Sequence, residues 1–420
     1  MKKQFSVAIL GCGNRGVCYT KYMLKAPDQY KILALCDPQE KQIRKMHDLF
    51  GIQDTADFLD PDVFLQQKRA DVLVIASPDR EHIPQAVRGM ELGYDLLLEK
   101  PISDCREEIE LLLTTQKRTG RKVIVCHELR YGKGYLKCEE ILRSGRLGRL
   151  YAIDASERVA YWHWTQAYVK GVGASLANGH PAILAKCSHD LDLLQSYAKS
   201  KCVSVSSVGG QAFFKEENAP EGAADRCVFC QHAKTCPFSA TRIYVDGWHA
   251  AGEPTFEWPY NKTTTKVPLT EEVILEGITN GPQGRCVFRC HPDLVDHQLV
   301  QMTFQNGVKA SLKMIFSAIR GRKYIFYCDL GELIFDERSA TIEILPFGGE
   351  AEIIDTSSFV KEGNKGHGGG DAILVQELYR ALVGEKESTT TLEESVECHL
   401  MGISAEESRA MGGALVQVHR

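Results

Sequence analysis

The sequence predicts an α/β fold. A doubly wound parallel sheet is expected first, then an α+β domain with a large open, mostly antiparallel sheet. Three observations carry this. Apolar runs alternate with helix-period segments from residue 4 to residue 126. Gly11, Gly13 and Gly16 fall on a strand-to-helix turn with G-x-G-x-x-G spacing. From about residue 127 the alternation stops, and strand-like segments follow one another.

The first strand, 5–10, runs into Gly11-Cys12-Gly13-Asn14-Arg15-Gly16. In this pattern Gly11 makes the tight turn, Gly13 lets a pyrophosphate approach the backbone, and Gly16 lets the helix pack on the strand. The helix N-terminus adds free N–H groups and a positive dipole end. Further strands fit 31–36, 72–76, 94–98 and 122–126, and helices fit 14–25, 38–50, 80–92 and 104–119. The second strand ends at Asp37, about 20 residues on, as a ribose-binding acid should. An acid there repels a 2′-phosphate, so NAD is favoured over NADP. Ligands in such sheets sit at the carboxyl ends of the strands, which places Ser77, Pro78 and His82 beside the cofactor. The fifth strand ends in Glu99-Lys100-Pro101. Proline disfavours a helical residue before it, so Lys100 is extended at the mouth of the sheet, where a nicotinamide would lie. There it can hydrogen-bond a substrate hydroxyl and lower its pKa.

Composition excludes several classes. The chain has 420 residues, 44% hydrophobic and 25% charged, with a net charge of -5. No basic run suggests nucleic acid or an anionic membrane surface. No run approaches the ~18 apolar residues of a membrane helix. Met1-Lys2-Lys3 and the apolar run after it are too short for a secretion signal and are needed for the first strand. A cytoplasmic protein is expected, and its 15 cysteines are read as thiols or metal ligands.

In the second half a helix fits 134–144. Strands fit 149–158, 202–209, 297–305, 308–316, 323–328, 331–336 and 341–346. Asn306-Gly307 signals a type I′ hairpin. Helices fit 371–384 and 392–411. The expected domains are 1–126, binding NAD, and 127–420, binding substrate, with a cysteine-rich insertion at about 210–295.

Two clusters carry chemistry. Lys186 and His189, three apart on one helix, share a face. Cys227-Val-Phe-Cys230 and Cys236 give C-x-x-C-x5-C, with Cys286 and Cys290 later. The spacing lets thiolates grip one ion. Structural zinc on Cys227, Cys230, Cys236 and Cys290 is expected, with Cys286, His232 or His291 as substitute ligands and an iron–sulfur cluster as the other reading.

Together Gly11–Gly16, Asp37, Glu99-Lys100-Pro101, the segment Leu184–Leu194 and Gly366–Asp371 resemble the Gfo/Idh/MocA oxidoreductases. The resemblance implies that His189 is the general base or acid. It implies that the open sheet covers a sugar site and pairs copies of the chain, and that the C-terminal helices pack back near the first domain. Arg130, Tyr131, Tyr161 and His163 are expected to line a polyol. The sequence departs from the family at Ala185, where many members carry an aspartate. Lys186 then either binds a hydroxyl or tunes His189 downward by like charge. The reading is an NAD-dependent dehydrogenase of a sugar, cyclitol or glycoside. The alternatives are a glycoside hydrolase or lyase that oxidises transiently with bound NAD, and an NAD-binding regulator without turnover.

Overall fold

The structure is a computed structural model that describes residues 3–359 and 366–419, so Met1 and Lys2 lie outside it. Six parallel strands form the first sheet: β1 Phe5–Leu10, β2 Tyr30–Cys36, β3 Ala56–Phe58, β4 Val72–Ile75, β5 Asp95–Leu98 and β6 Val123–Val125. Their order is β3-β2-β1-β4-β5-β6. The chain reverses direction across the sheet between β1 and β4, which opens a crevice at their carboxyl ends. The connecting helices are α1 Asn14–Leu24, α2 Glu40–Phe50, α3 Pro61–Phe64, α4 His82–Glu91 and α5 Arg106–Thr119. Strands β1 and β4 are apolar almost throughout because both faces of the sheet are covered.

The second half begins with α6 Lys133–Arg143, β7 Leu150–Ala160, α7 Tyr161–Trp164, α8 Ala182–Ala198 and β8 Cys202–Gly210. The insertion carries α9 Gly247–Ala250 and α10 Glu271–Asn280. Strands β9 His297–Phe304, β10 Lys309–Ser317, β11 Gly321–Cys328, β12 Gly331–Asp336, β13 Thr341–Pro346 and β14 Glu352–Asp355 follow. The described chain ends with α11 Gly370–Val383, α12 Leu392–Ala410 and β15 Val416–Gln417. The nine strands run in the order β14-β13-β12-β11-β7-β10-β9-β8-β15. Pairing is antiparallel except between β10 and β7, which align from Lys309↔Ala152 to Ser317↔Ala160. Alternation along β9 and β10 buries one face of the sheet, where α8 and α12 pack.

Three expectations are corrected here. The strand β3 and helix α3 were not anticipated; a three-residue edge strand is too short to show a period. The 304–308 hairpin forms, but Gly307 is its left-handed residue while Asn306 is not. The loop is therefore a three-residue turn closed by Phe304 N–H to Val308 O at 2.9 Å, not type I′. Strands β14 and β15 also escaped the sequence reading.

Helix α11 returns to the first sheet. Leu374, Val375, Leu378 and Tyr379 pack in one cluster with Phe5, Tyr30 and Leu97. The Tyr30 hydroxyl donates to Val375 O at 2.8 Å. Gly370 lets the start of α11 close on the turn before α6: a Cβ there would meet Glu128 O at 1.9 Å. We expect Gly370→Ala to cost about 1–3 kcal/mol by overpacking a site with no room to yield. Thermal unfolding of the variant checks this; an unchanged midpoint would mean that α11 is not seated as described.

Candidate active site

The glycine turn has the geometry that phosphate binding requires. Gly11 has φ +98, and a Cβ on it would meet the Ala76 carbonyl carbon at 2.4 Å. A Cβ on Gly16 would meet Gly11 O at 2.1 Å, whereas one on Gly13 would meet nothing within 4 Å. So the outer glycines are needed for packing, and the middle one keeps an approach open. Gly13 caps α1 without a side-chain hydrogen bond, and the first turn of α1 holds no acid. These features fit a dinucleotide pyrophosphate. Asp37 closes the turn: Oδ2 accepts from Cys12 N at 3.0 Å and Oδ1 from Gln39 N at 2.9 Å. Lys45 lies beneath it, buried, donating to Cys12 O at 2.8 Å. Burial pushes its pKa down to about 8, against the pull of Cys12 and Asp37.

A cleft of about 1840 Å³ runs from Asn14 and Arg15 past Lys100 to Lys186 and His189. Its far wall is the buried-parity face of β7 and β11, through Glu157 and Arg322, and the insertion contributes Trp258 and Lys262. Three elements bring the expected catalytic groups together. The end of β5 presents Lys100, whose Nζ donates to Ala185 O at 3.0 Å on the first turn of α8. Helix α8 presents Lys186 and His189. Lys186 Nζ is 3.3 Å from Glu157 Oε1, and Arg322 Nε is 2.7 Å from Glu157 Oε2. Arg322 Nε also donates to Asp190 at 2.8 Å, and the Tyr324 hydroxyl donates to the same oxygen at 2.7 Å.

His189 is buried, and Glu128 Oε2 lies 3.7 Å from its Nε2. Neither Glu128 Oε2 nor His189 Nδ1 has a hydrogen-bond partner among the described residues. Burial drives the His189 pKa well below the ordinary histidine value, helped by Lys100, His367, His127 and Arg322. The like charge expected from Lys186 is not prominent, because Lys186 is paired to Glu157. Glu128 belongs to a buried acid cluster. Arg15 bonds to Glu99 and Glu128 and, at 2.8 Å, to Asp371, while the Tyr19 hydroxyl bonds to Glu99 and Glu128, each at 2.6 Å. Burial raises the Glu128 pKa despite Arg15 and His367. Burial also opposes ionisation of Glu99 and Asp371, but Arg15, with Lys100 at Glu99 and His367 at Asp371, overcomes it and holds both down. Glu128, His189 and His367 each bring one ligand-type atom within 4.8 Å of the others. The Arg15 guanidinium is already on Glu128, so a cation stands at this trio.

Several expected residues sit elsewhere. His82 is buried with Nδ1 2.7 Å from Pro101 O and Nε2 3.1 Å from Ser77 O, so it ties two turns together instead of facing the cleft. Ser77 donates to Gln85 at 2.6 Å, and Pro78 precedes the short turn Asp79–Glu81. Arg130 is turned away from the cleft, onto Asp192 at 2.6 Å and Ser196 at 2.8 Å. Tyr131 is buried with its hydroxyl 3.0 Å from Thr390. Tyr161 packs on Phe238 at 5.7 Å, whereas His163 lines the cleft with its ring 4.9 Å from Trp258. Glu128, Glu157, Arg322, His367 and Asp371 were not assigned roles from sequence. Glu157 could have been found: it is a carboxylate at the parity of Ile153, Ala155 and Val159.

Residues 5–127 match the model of the oxidoreductase family with an NAD-binding Rossmann fold, Gfo/Idh/MocA. The chain is 21% identical over 339 residues to the oxidoreductase YteT of Bacillus subtilis, covering 76% of this chain and 74% of that one. Against an inositol 2-dehydrogenase of Saccharopolyspora erythraea and a D-glucoside 3-dehydrogenase of Escherichia coli it spans under half of the relative's length, 45% and 42%. The fold matches scyllo-inositol dehydrogenase from Lactobacillus casei, solved with NAD(H) and scyllo-inositol, at TM-score 0.68, 14% identity and full coverage of both chains.

The histidine cluster sets a pH dependence. His127, His189 and His399 are buried, and burial lowers all three, His399 to about 3. Below pH ~6.5 the unfolded chain binds protons that these rings refuse, so stability falls as pH drops through that window by about 1.4 kcal/mol per unit per histidine. Urea unfolding between pH 7 and pH 5 checks this; a flat profile would show that the rings are protonated in the fold.

Proposed function

Residues 5–127 match the Gfo/Idh/MocA oxidoreductase model, and we propose that the chain is an NAD-dependent dehydrogenase of a sugar, cyclitol or glycoside hydroxyl. The observation that carries this is the convergence of Lys100, Lys186 and His189 on one cleft that begins at the glycine turn. Bound NAD supplies the carbon that takes the hydride. The substrate hydroxyl sits between Lys100 and His189. His189, kept neutral by burial and nearby cations, accepts the hydroxyl proton. Glu128 receives a proton from the far side of the ring, 3.7 Å away. This carboxylate replaces the one missing at Ala185. Lys100 stabilises the developing alkoxide, and Lys186, held by Glu157, binds a neighbouring hydroxyl. His163 and Trp258 offer ring faces to the C–H side of a polyol. Asp37 faces the ribose, and the buried Lys45 is turned beneath the turn, which supports NAD over NADP. Tyr151, Val208 and Leu299 are exposed on the second sheet, which supports pairing of two copies through that face.

Lys100→Ala and His189→Ala should each lower kcat/KM by ~10²–10⁴ with the true substrate. Glu128→Gln should lose less and should move the acid limb of kcat downward, because it removes the carboxylate that favours a protonated His189. The measurement is a screen of cyclitols, sugars and aryl glycosides that follows NADH and released aglycone together. NADH in step with ketone supports a dehydrogenase. Aglycone release without NADH would replace this reading with transient oxidation. Full activity in both alanine variants would remove the site assignment.

A further inference from the structure

We propose that His367 is the exit for the proton that leaves the substrate: it takes that proton from Glu128 and hands it to water in the cleft. The inference rests on the dehydrogenase reading and carries its relay one step further.

A buried relay needs an outlet. Oxidation of a hydroxyl carbon gives up a hydride and a proton. In the proposed reaction the proton reaches Glu128 through His189. The His189 and Glu128 side chains are only 4% and 1% exposed, so neither returns it to water. Until it leaves, His189 cannot act as a base again.

The surroundings of Glu128 leave one candidate among the described residues. Oε1 takes hydrogen bonds from Arg15 and from the Tyr19 hydroxyl, and Oε2 has no partner, so Oε2 is the oxygen that exchanges a proton. Glu99, Cys126, Tyr19 and Asp371 stand around this carboxylate, and all are buried. His127, with its ring 5.9 Å from His189, is buried too. Arg15 is 29% exposed, but a guanidinium does not give up its proton. His367 is 31% exposed and lines the cleft. It brings one ring nitrogen within 4.8 Å of ligand-type atoms of Glu128 and His189, and its ring lies 5.3 Å from the His189 ring. One water spans such a gap.

The ring is prepared for the task. Nδ1 is 3.1 Å from Asp371 Oδ1, and the same oxygen is 2.8 Å from Arg15. A carboxylate on Nδ1 fixes the tautomer with its proton there and leaves the Nε2 lone pair to accept another. The proton passes from Glu128 Oε2 to His367 Nε2, and the imidazolium, paired to Asp371, releases it from Nε2 to water. One proton leaves for each hydride transferred. The backbone agrees. His367 has φ +47, in the left-handed region where side chains are costly, and glycines stand on both sides of it. The turn is seated on the start of α6: a Cβ on Gly132 would meet His367 O at 3.3 Å. A histidine held in a strained turn of glycines, against a carboxylate and a cleft, marks a functional position.

The test replaces His367 with asparagine, which tolerates the left-handed region and keeps a donor for Asp371. With NAD and the substrate found by the screen, His367→Asn should form NADH at the wild-type rate in the first turnover. Its kcat should then fall by up to ~10²-fold, with proton release to a pH indicator lagging behind NADH. Imidazole in solution should restore kcat, a rescue that a purely structural role would not show. An unchanged kcat would overturn the exit, as would a fall that imidazole does not rescue and in which proton and NADH appear together. A second readout needs no substrate. In the NAD-bound chain carrying isotope-labelled histidine, exchange of the His189 ring N–H with water should slow about tenfold in His367→Asn. If no substrate yields NADH, the dehydrogenase reading fails, and this exchange still decides the exit: slower exchange supports it and unchanged exchange overturns it. Should His367→Asn fail to bind NAD, His367→Gln is read in the same way.

Discussion

The guanidinium of Arg15 is the constraint on which the site depends. Glu99, Glu128 and Asp371 converge on it from three separate parts of the chain. Three buried acids could not share one volume without a cation among them. Arg15 stands on the first turn of α1, next to the phosphate-binding turn. Glu99 immediately precedes Lys100, and Glu128 stands behind His189. Asp371 opens α11, where an acid also suits the helix dipole. One side chain thus sets the relative positions of the cofactor turn, the lysine, the histidine's partner and the C-terminal helix. The charges divide accordingly: two acids stay ionised against Arg15, and Glu128 is left with the highest proton affinity of the three.

Helix α8 is held on both flanks of its reactive face. Successive residues turn about 100° around a helix. Lys186 and His189 then lie about 60° apart, with Asp190 to one side and Asp192 to the other. Asp190 is gripped by Arg322 and Tyr324 from β11, and Asp192 by Arg130 from the turn before α6. The polar stripe is wide because its outer members fix the rotation of the helix and its inner members face the cleft. This explains why Arg130, expected at the substrate, serves the helix instead.

The first sheet was legible because its signals are local. Glycine spacing, an acid at the end of β2 and buried apolar runs each sit within a few residues. The alternation of β7, β9 and β10 was legible for the same reason. The misses are non-local. Strand β15 has two residues and exists only because β8 offers an edge. Tyr131 and His82 are polar residues near site motifs, yet their partners, Thr390 and Pro101, become neighbours only on folding. The acid cluster spans Arg15 to Asp371, a separation that no periodicity or motif spacing records.

In the proposed reaction the carboxylate of the relay comes from the turn before α6, and Ala185 on α8 supplies none. A relay must lead away from the substrate, so the carboxylate has to meet the ring nitrogen opposite the reacting one. A side chain one helical turn earlier can do this, but Ala185 cannot. Its small side chain leaves its carbonyl within reach of Lys100, at 3.0 Å, which fixes the ammonium beside His189. Glu128 then faces Nε2 from the turn before α6, and Nδ1 has no partner among the described residues. In the proposed reaction the proton enters at Nδ1 and leaves at Nε2. The raised proton affinity of Glu128 suits it to receive that proton, and Arg15 keeps its neighbours Glu99 and Asp371 ionised meanwhile. In this proposal Arg15 couples the relay to the glycine turn, because the same guanidinium holds Glu128 and stands on the first turn of α1.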